Sequence, residues 1–478
     1  MSNYELVVGL EIHARIATKS KMFCSCNNEF FGKPPNCHVC PICTGFPGML
    51  PVLNEEALIK GIKAALALNC EIPAKSKFDR KNYFYPDLPK AFQISQYDEP
   101  VSKNGYVDID VDGEKKRIGI TRLHLEEDAG KLTHTASGTL CDFNRCGTPL
   151  MEVVSEPDIR SAKEASLYAQ ELQKILRYVG AAECDMEKGG MRFDANVSIR
   201  KQGETKLGTR AEVKNLNSFR SLEKAIEYEF KRQIEVLESG GKVIQETRGF
   251  DDVKQITISQ RTKEEANDYR YFPEPDLPPI YTEKDFVEKL RLELPELPSL
   301  RKIRFLKEYG ISENDARILT DDPFLANFYE KVVKISGDPK RSCSYITTNL
   351  IGLMKAEDET NLDFRNLKIS VENLADLVSR ISKGEITNNI GKQVFEIMYQ
   401  EGKNAEQVIK EQGFADSDNE ADLEIWCKEV ISQNPGPLAQ YKSGKESIIG
   451  FFVGQVMQKS KGKANPSKVK EKLLKLLN

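Results

Sequence analysis

Apolar Val8, Leu10 and Ile12 alternate with Gly9, Glu11 and His13 near the start of the chain. This period of two predicts a strand with one core face and one polar face, and it puts Glu11 and His13 side by side on the polar one. Residues 106–111 and 115–125 flank Asp112-Gly113, a pair that tolerates positive φ, so a β-hairpin is expected there. Helical patterns cover residues 54–69, 161–179 and 218–239. The second opens on a Ser161-x-x-Glu164 capping box and stops at Gly180; the third stops at Gly240-Gly241. Prolines then crowd residues 273–279 and 294–298, which predicts an end to regular structure and a linker. Beyond them the pattern is helical, at 303–309, 312–319, 323–333, 343–355, 371–382, 390–399, 404–412 and 422–432. An apolar run at 448–457 and a lysine-rich helix follow. The fold class is therefore α+β, an antiparallel sheet domain followed by small helical bundles.

A chain of 478 residues exceeds one ordinary core and implies two or three domains. A net charge of -4 with 30% charged residues gives no general basic field, so nucleic-acid contact has to come from local patches. The tail offers one, in Lys459, Lys461, Lys463, Lys468, Lys470, Lys472 and Lys475, a pattern shared with ordinary solvated helix faces. The N-terminus lacks a basic region before a long apolar stretch, and no apolar run approaches the ~20 residues of a membrane span, so no membrane role and a cytoplasmic location are expected.

Of 11 cysteines, five fall between Cys24 and Cys43. In a reducing compartment such clustering suggests metal rather than disulfides. Cys24-Ser25-Cys26 and Cys40-Pro41-Ile42-Cys43 form two close pairs that can supply a closed, structural zinc site, with Cys37 and His38 competing for a ligand place.

The remaining chemistry mixes acids with bases. His124-Leu125-Glu126-Glu127-Asp128 places three acids together at a strand end, a repulsive arrangement that suits bound cations. Residues 78–90, with Lys81, Tyr83 and Lys90, have the aromatics and prolines of a rigid loop lining a pocket. Glu152, Arg145, Arg192-Phe193-Asp194-Ala195-Asn196 and Glu212-Val213-Lys214-Asn215 add further charged positions. Carboxylates suit magnesium and bases suit phosphate, so the set resembles a nucleotide site. No G-x-x-x-x-G-K-[ST] loop is present, and nucleotide binding rests on this constellation alone.

Five ordered strings closely resemble the B subunit of the bacterial glutamyl/aspartyl-tRNA amidotransferase: residues 8–13, 79–87, 122–131, 268–276 and 462–466. The likeness runs almost end to end. It implies a catalytic cradle domain (residues 1–290), a helical domain (291–400) and a tRNA-binding tail (401–478). It implies ATP-dependent activation of the side-chain carboxylate of Glu-tRNA(Gln) or Asp-tRNA(Asn) as an acyl phosphate, then amidation by ammonia. Carried over by position, Glu11, His13, Glu126 or Glu127, Glu152 and Asp194 would hold magnesium. Lys81, Tyr83 and Arg145 would face ATP, catalytic Lys90 would stand on a polar ammonia route gated by its charge pair with Glu126 or Glu127, and Cys24, Cys26, Cys40 and Cys43 would hold zinc. No Gly/Ser-rich amidase signature occurs, so glutamine hydrolysis is assigned to a partner amidase (A) subunit, with a small C subunit completing a heterotrimer. The competing assignments are a noncatalytic, zinc-stabilised tRNA-binding adaptor and a metal-dependent phosphohydrolase working alone.

Overall fold

The computed structural model describes residues 3–262, 268–358, 362–414, 420–460, 464 and 466–477. Lys461, Gly462, Lys463 and Asn465 of the tail lie outside the described residues. Contacts divide the chain into two compact units, Met1–Leu297 and Pro298–Asn478.

The first unit runs β1 (Tyr4–Arg15), α1 (Glu55–Ala67), β2 (Lys75–Ser76), β3 (Asp79–Asn82), β4 (Phe92–Ser95), β5 (Ser102–Val111), β6 (Glu114–Glu127), β7 (Lys131–Thr135), β8 (Gly138–Asp142), β9 (Pro149–Ser155), α2 (Ala162–Tyr178), β10 (Met191–Lys201), β11 (Ala211–Leu216), α3 (Phe219–Glu238), β12 (Glu246–Asp251), β13 (Ile256–Thr262), β14 (Phe272–Pro273), β15 (Ile280–Tyr281) and α4 (Lys284–Leu292). Its principal sheet has the order β13-β12-β11-β10-β1-β9-β6-β5. All neighbours in it are antiparallel except β11 and β12. The apolar residues of β1 (Val8, Leu10, Ile12 and Ala14) are buried within the core that also takes in α2 and α3. Asp112 and Gly113 turn the β5–β6 hairpin with positive φ, as expected.

Helix ends follow their chemistry. Ser161 accepts a hydrogen bond from the Glu164 amide, and Ser218 from the Ser221 amide, each satisfying an amide that the first helical turn leaves unpaired. Gly61 lets α1 lie directly on β6, since a Cβ there would sit 2.6 Å from Leu125 Cδ2. Two local expectations are corrected. Residues 79–82 form a strand rather than loop, paired with both β4 and β14. The proline-rich stretch is not a free linker: β14 and β15 pair with β3 and β2, and Glu274 is buried. Proline is kept out of helix interiors and interior strands, but it allows short edge pairings of this kind.

The second unit is helical: α5 (Pro298–Tyr309), α6 (Glu313–Thr320), α7 (Pro323–Ser336), α8 (Pro339–Ser344), a π-helical turn (Tyr345–Leu350), α9 (Ile351–Glu357), α10 (Val371–Ser382), α11 (Asn388–Glu401), α12 (Ala405–Glu411), α13 (Glu420–Gln433), α14 (Pro435–Lys442), α15 (Ile449–Lys459) and α16 (Pro466–Leu477). One apolar cluster centres on Phe305, Tyr329 and Phe395, and another on Cys427, Phe452 and Leu473. The helix expected at 343–355 is interrupted by the π turn, where the Thr347 hydroxyl donates to the Cys343 carbonyl at 3.0 Å. In the tail, Lys459 pairs with Glu429, Lys472 with Glu424 and Lys475 with Glu471. Among the described residues no helix is long and apolar enough to cross a membrane.

Candidate active site

Register builds the site. β9 lies between β6 and β1, and β10 lies on the other side of β1. His124, Glu152, His13 and Arg192 therefore stand opposite one another in a row across four strands. Glu126 joins the row from β6. His13 Nε2 lies 3.3 Å from Glu152 and 3.6 Å from Glu126, while His124 Nε2 lies 3.3 Å and 3.8 Å from the same two carboxylates. His13, Glu126 and Glu152 offer ligand atoms all within 4.8 Å of one another. One imidazole with two carboxylates is a hard donor set that fits magnesium or manganese.

The electrostatics of this cluster are strongly coupled. Burial opposes charge on His124, but Glu152 and Glu126 push its pKa up to about 9, and His13 is raised for the same reason. Against the same burial penalty, the two histidines hold Glu152 well below the usual carboxylate range, and His124 leads in lowering Glu126. Two strand positions from His13, Glu11 stands opposite Asp194, and with Glu212 they form a second group of ligand atoms within 4.8 Å. Burial, then Glu152 and Glu212, raise Glu11. Lys214 bridges this group, 3.0 Å from Asp194 and 2.8 Å from Glu212.

Adjacent acids separate at the end of β6. Glu126 joins the histidine row, whereas Glu127 pairs with Lys90 and accepts the Ile94 amide at 3.0 Å. Consecutive strand residues face opposite ways, so the two carboxylates serve different surroundings. Lys90 is fixed from behind by the cysteine loop: Gly45 has φ of 72°, and a Cβ there would lie 2.7 Å from Lys90 Cγ and 3.1 Å from its Cα.

Lys81, on β3, lies over the rings of Tyr269 and Tyr83 at 4.9 and 5.9 Å and has no ion pair within 4 Å among the described residues. Burial works against its charge, yet Glu126, Tyr271 and Glu152 hold its pKa above the usual lysine value. Tyr271 stacks on Tyr97 at 4.4 Å. This aromatic wall is held by Arg80, which grips Glu274 through two bonds of 2.7 and 2.8 Å. Arg145 donates to the carbonyls of Ala129 and Gly130 and lies 3.6 Å from Asp128, which also faces Arg192 at 3.5 Å. We expect Arg80→Met to strand the buried Glu274 carboxylate and cost ~3 kcal/mol, read by chemical denaturation. A stability unchanged from the parent would show that the wall is held by other contacts.

The four sulfurs of Cys24, Cys26, Cys40 and Cys43 also gather within 4.8 Å. Hydrogen bonding from Cys24 pulls Cys43 down to about 4 against burial, while burial pushes Cys26 up to about 11. Cys37 is exposed, and His38 turns its Nδ1 to the Asn27 carbonyl, so neither joins the four. Asn144 latches the loop by donating to the Pro34 carbonyl and accepting the His38 amide. Four sulfurs in this arrangement fit zinc. A cavity of about 690 Å³ elsewhere in the unit, lined by Tyr4, Arg160, Gln202 and Phe230 among others, lies away from all these groups.

Sequence patterns gave no sign of Lys21, which is fully buried beside Cys43, or of the Tyr269–Tyr271 wall closing over Lys81. Both depend on contacts between distant segments.

Carboxylates and histidines able to hold a cation on a central sheet, beside a lysine under aromatic cover and a four-cysteine loop, mark the first unit as a candidate catalytic domain. Residues 6–288 match the family model of the GatB/GatE catalytic domain and residues 327–477 that of the GatB domain, so the chain belongs to the GatB family. It is 52% identical over 471 residues to the B subunit of the aspartyl/glutamyl-tRNA(Asn/Gln) amidotransferase of Caldicellulosiruptor saccharolyticus, with 98% of each chain covered. It is 49% identical over 485 residues to the protein of that name from Carboxydothermus hydrogenoformans, with both covered in full. The Brevibacillus brevis protein is 48% identical over 480 residues, again with full coverage.

Proposed function

We propose that this chain is the component of a tRNA-dependent amidotransferase that carries carboxylate activation and amide formation. It acts as an ATP-dependent carbon–nitrogen ligase on Glu-tRNA(Gln), Asp-tRNA(Asn) or both. The observation that carries this proposal is the four-strand row of His124, Glu152, His13 and Arg192, joined by Glu126 and faced by Lys81. It juxtaposes hard ligands with an ammonium free of ion pairs among the described residues, as phosphoryl transfer to a carboxylate requires.

His13, Glu126 and Glu152, with Glu11 and Asp194 beside them, would hold magnesium, which when bound would supply shielding of the repulsion between the substrate carboxylate and the triphosphate. Lys81 neutralises charge on the transferred phosphoryl group, with Tyr83 and Arg145 lining the nucleotide's place. A carboxylate oxygen of the aminoacyl side chain bonds to the γ-phosphorus as the bond to ADP breaks. Ammonia then attacks the acyl carbon, phosphate leaves, and Glu127 receives a proton from the nitrogen at Oε2, while Lys90 and the Ile94 amide hold its other oxygen, Oε1. The resting carboxylate has a poor leaving group, and the acyl phosphate supplies a good one.

The domain division at 290 and 400 belongs to the same proposal; two separate apolar clusters in the helical unit support two helical bodies, with the clusters parting between Phe414 and Leu423. The tail lysines contribute to holding tRNA. Exposed Phe46, Leu50 and Val52 in the cysteine loop support a protein partner. We assign the partners as an amidase (A) subunit supplying ammonia and a small C subunit, in the cytoplasm where aminoacyl-tRNA is made. Zinc at the four cysteines is structural. Cys40→Ser is accordingly expected to lose the metal and ~2 kcal/mol or more of stability while slowing activation far less. Unchanged zinc content and melting would remove Cys40 from the ligand set.

The deciding experiment measures phosphate release from γ-labelled ATP by the assembled complex with ammonium, with and without misacylated tRNA. Release that needs the charged tRNA and yields amidated product supports the proposal. tRNA binding without either event, in a complex with active glutaminase, would leave a noncatalytic adaptor.

A further inference from the structure

Lys21 is fully buried, with its ammonium in a nest of three acceptors. It donates to the His38 carbonyl at 2.7 Å, to the Phe143 carbonyl at 3.3 Å and to Cys43 Sγ at 3.6 Å. Among the described residues no carboxylate lies within ion-pair distance. A lysine charge removed from water without an anion is strongly disfavoured, and carbonyl dipoles compensate it only in part. Of its three hydrogen-bond partners, the one able to carry full negative charge is the Cys43 sulfur, which also accepts the Cys40 amide at 3.2 Å.

The surroundings leave Lys21 little freedom. Its own amide donates to the Cys26 carbonyl, its carbonyl accepts from Asn54, and a Cβ on Gly147 would touch both Lys21 Cδ at 3.5 Å and Cys43 Cβ at 3.3 Å. Four thiolates around a divalent ion form an anionic complex, and burying such a complex needs a fixed positive charge close by. The second sphere of a metal site is where such charges and hydrogen bonds set ligand basicity and metal retention.

We propose that Lys21 is the built-in counter-charge of the cysteine metal site, pairing with the Cys43 thiolate so that zinc is retained and that sulfur stays unreactive. This rests on the zinc assignment made above. Lys21 is thus a positioning residue for the metal, and it explains why a lysine occupies a place otherwise suited to a methionine. An ammonium hydrogen bond withdraws electron density from the sulfur, which weakens its attack on oxidants and alkylating agents while leaving it able to ligate.

The test compares the full chain with K21Q, K21M and K21R. Zinc content is measured first, then the rate of zinc release to a chelator, then the thiolate-to-cobalt charge-transfer band after cobalt substitution. K21Q keeps a hydrogen-bond donor without the charge, and is expected to release zinc at least ~10-fold faster, an effect equivalent to ~1.4 kcal/mol. K21M is expected to do the same and to shift the cobalt band to lower energy, because a sulfur freed of its ammonium donates more readily. K21R should retain zinc and lie close to the parent. A parent-like release rate and band in K21Q would overturn the proposal even if K21M fails to fold. A parent chain that binds no zinc would overturn both this inference and the zinc assignment, while leaving the ATP-dependent amidation proposal to its own phosphate-release assay.

Discussion

Replacing Glu126 with glutamine is expected to lower tRNA-dependent phosphate release by ~10³-fold or more, while leaving tRNA affinity within about twofold of the parent. The size follows from where the side chain sits. Its carboxylate stands within 4 Å of both His13 and His124, and it is one of the three groups able to share a cation with His13 and Glu152. Glutamine keeps the shape and the hydrogen bond offered by Ser95 at 3.2 Å but removes the charge that draws a cation there. Isothermal titration with manganese should show the matching loss of divalent binding. Full phosphate release by this variant would mean that the histidine row is structural and would remove the basis of the proposed kinase chemistry.

The second large effect lies one residue away. Glu127→Gln is expected to leave tRNA-dependent ATP cleavage largely intact while lowering amide formation by ~10²-fold, the usual range for losing a positioned general base. Activated tRNA should then decay by hydrolysis and uncouple phosphate release from product. Lys90→Met tests the same pair from the other side and also leaves Glu127 buried without its cation, at a cost of ~3 kcal/mol. Equal loss of phosphate release and amidation in Glu127→Gln would place both carboxylates in a single reaction step.

Much of the fold was legible in the sequence, because its signals are local. The period of two in β1 placed Glu11 and His13 together, and the Ser161 cap and the Gly240-Gly241 stop marked two helices that pack with the sheet. What could not be read depends on pairing between distant segments. The choice between Glu126 and Glu127 at the histidine row is made by the register of β6 against β9. The exclusion of Cys37 and His38 follows from the latch to Asn144, more than a hundred residues on. The proline-rich stretch looked like a linker because prolines speak only for their own backbone. Its docking is decided by Arg80 gripping Glu274 from 194 residues away. Lys21 gave no pattern at all, since a lone lysine before a cysteine pair has the same appearance whether buried or exposed.

The opposite facing of Glu126 and Glu127 bears on how this chain can change over time. A deletion or insertion of one residue in β6 between His124 and Glu126 would reverse the face that each carboxylate occupies, turning Glu126 away from the histidine row while both carboxylates remain. Substitutions in this stretch can be tried one at a time, whereas a change in its length disables two steps together. The spacing of His124, Glu126 and Glu127 is therefore a fixed ruler, and loops such as the Asp112-Gly113 turn at the far end of the hairpin are where length can drift.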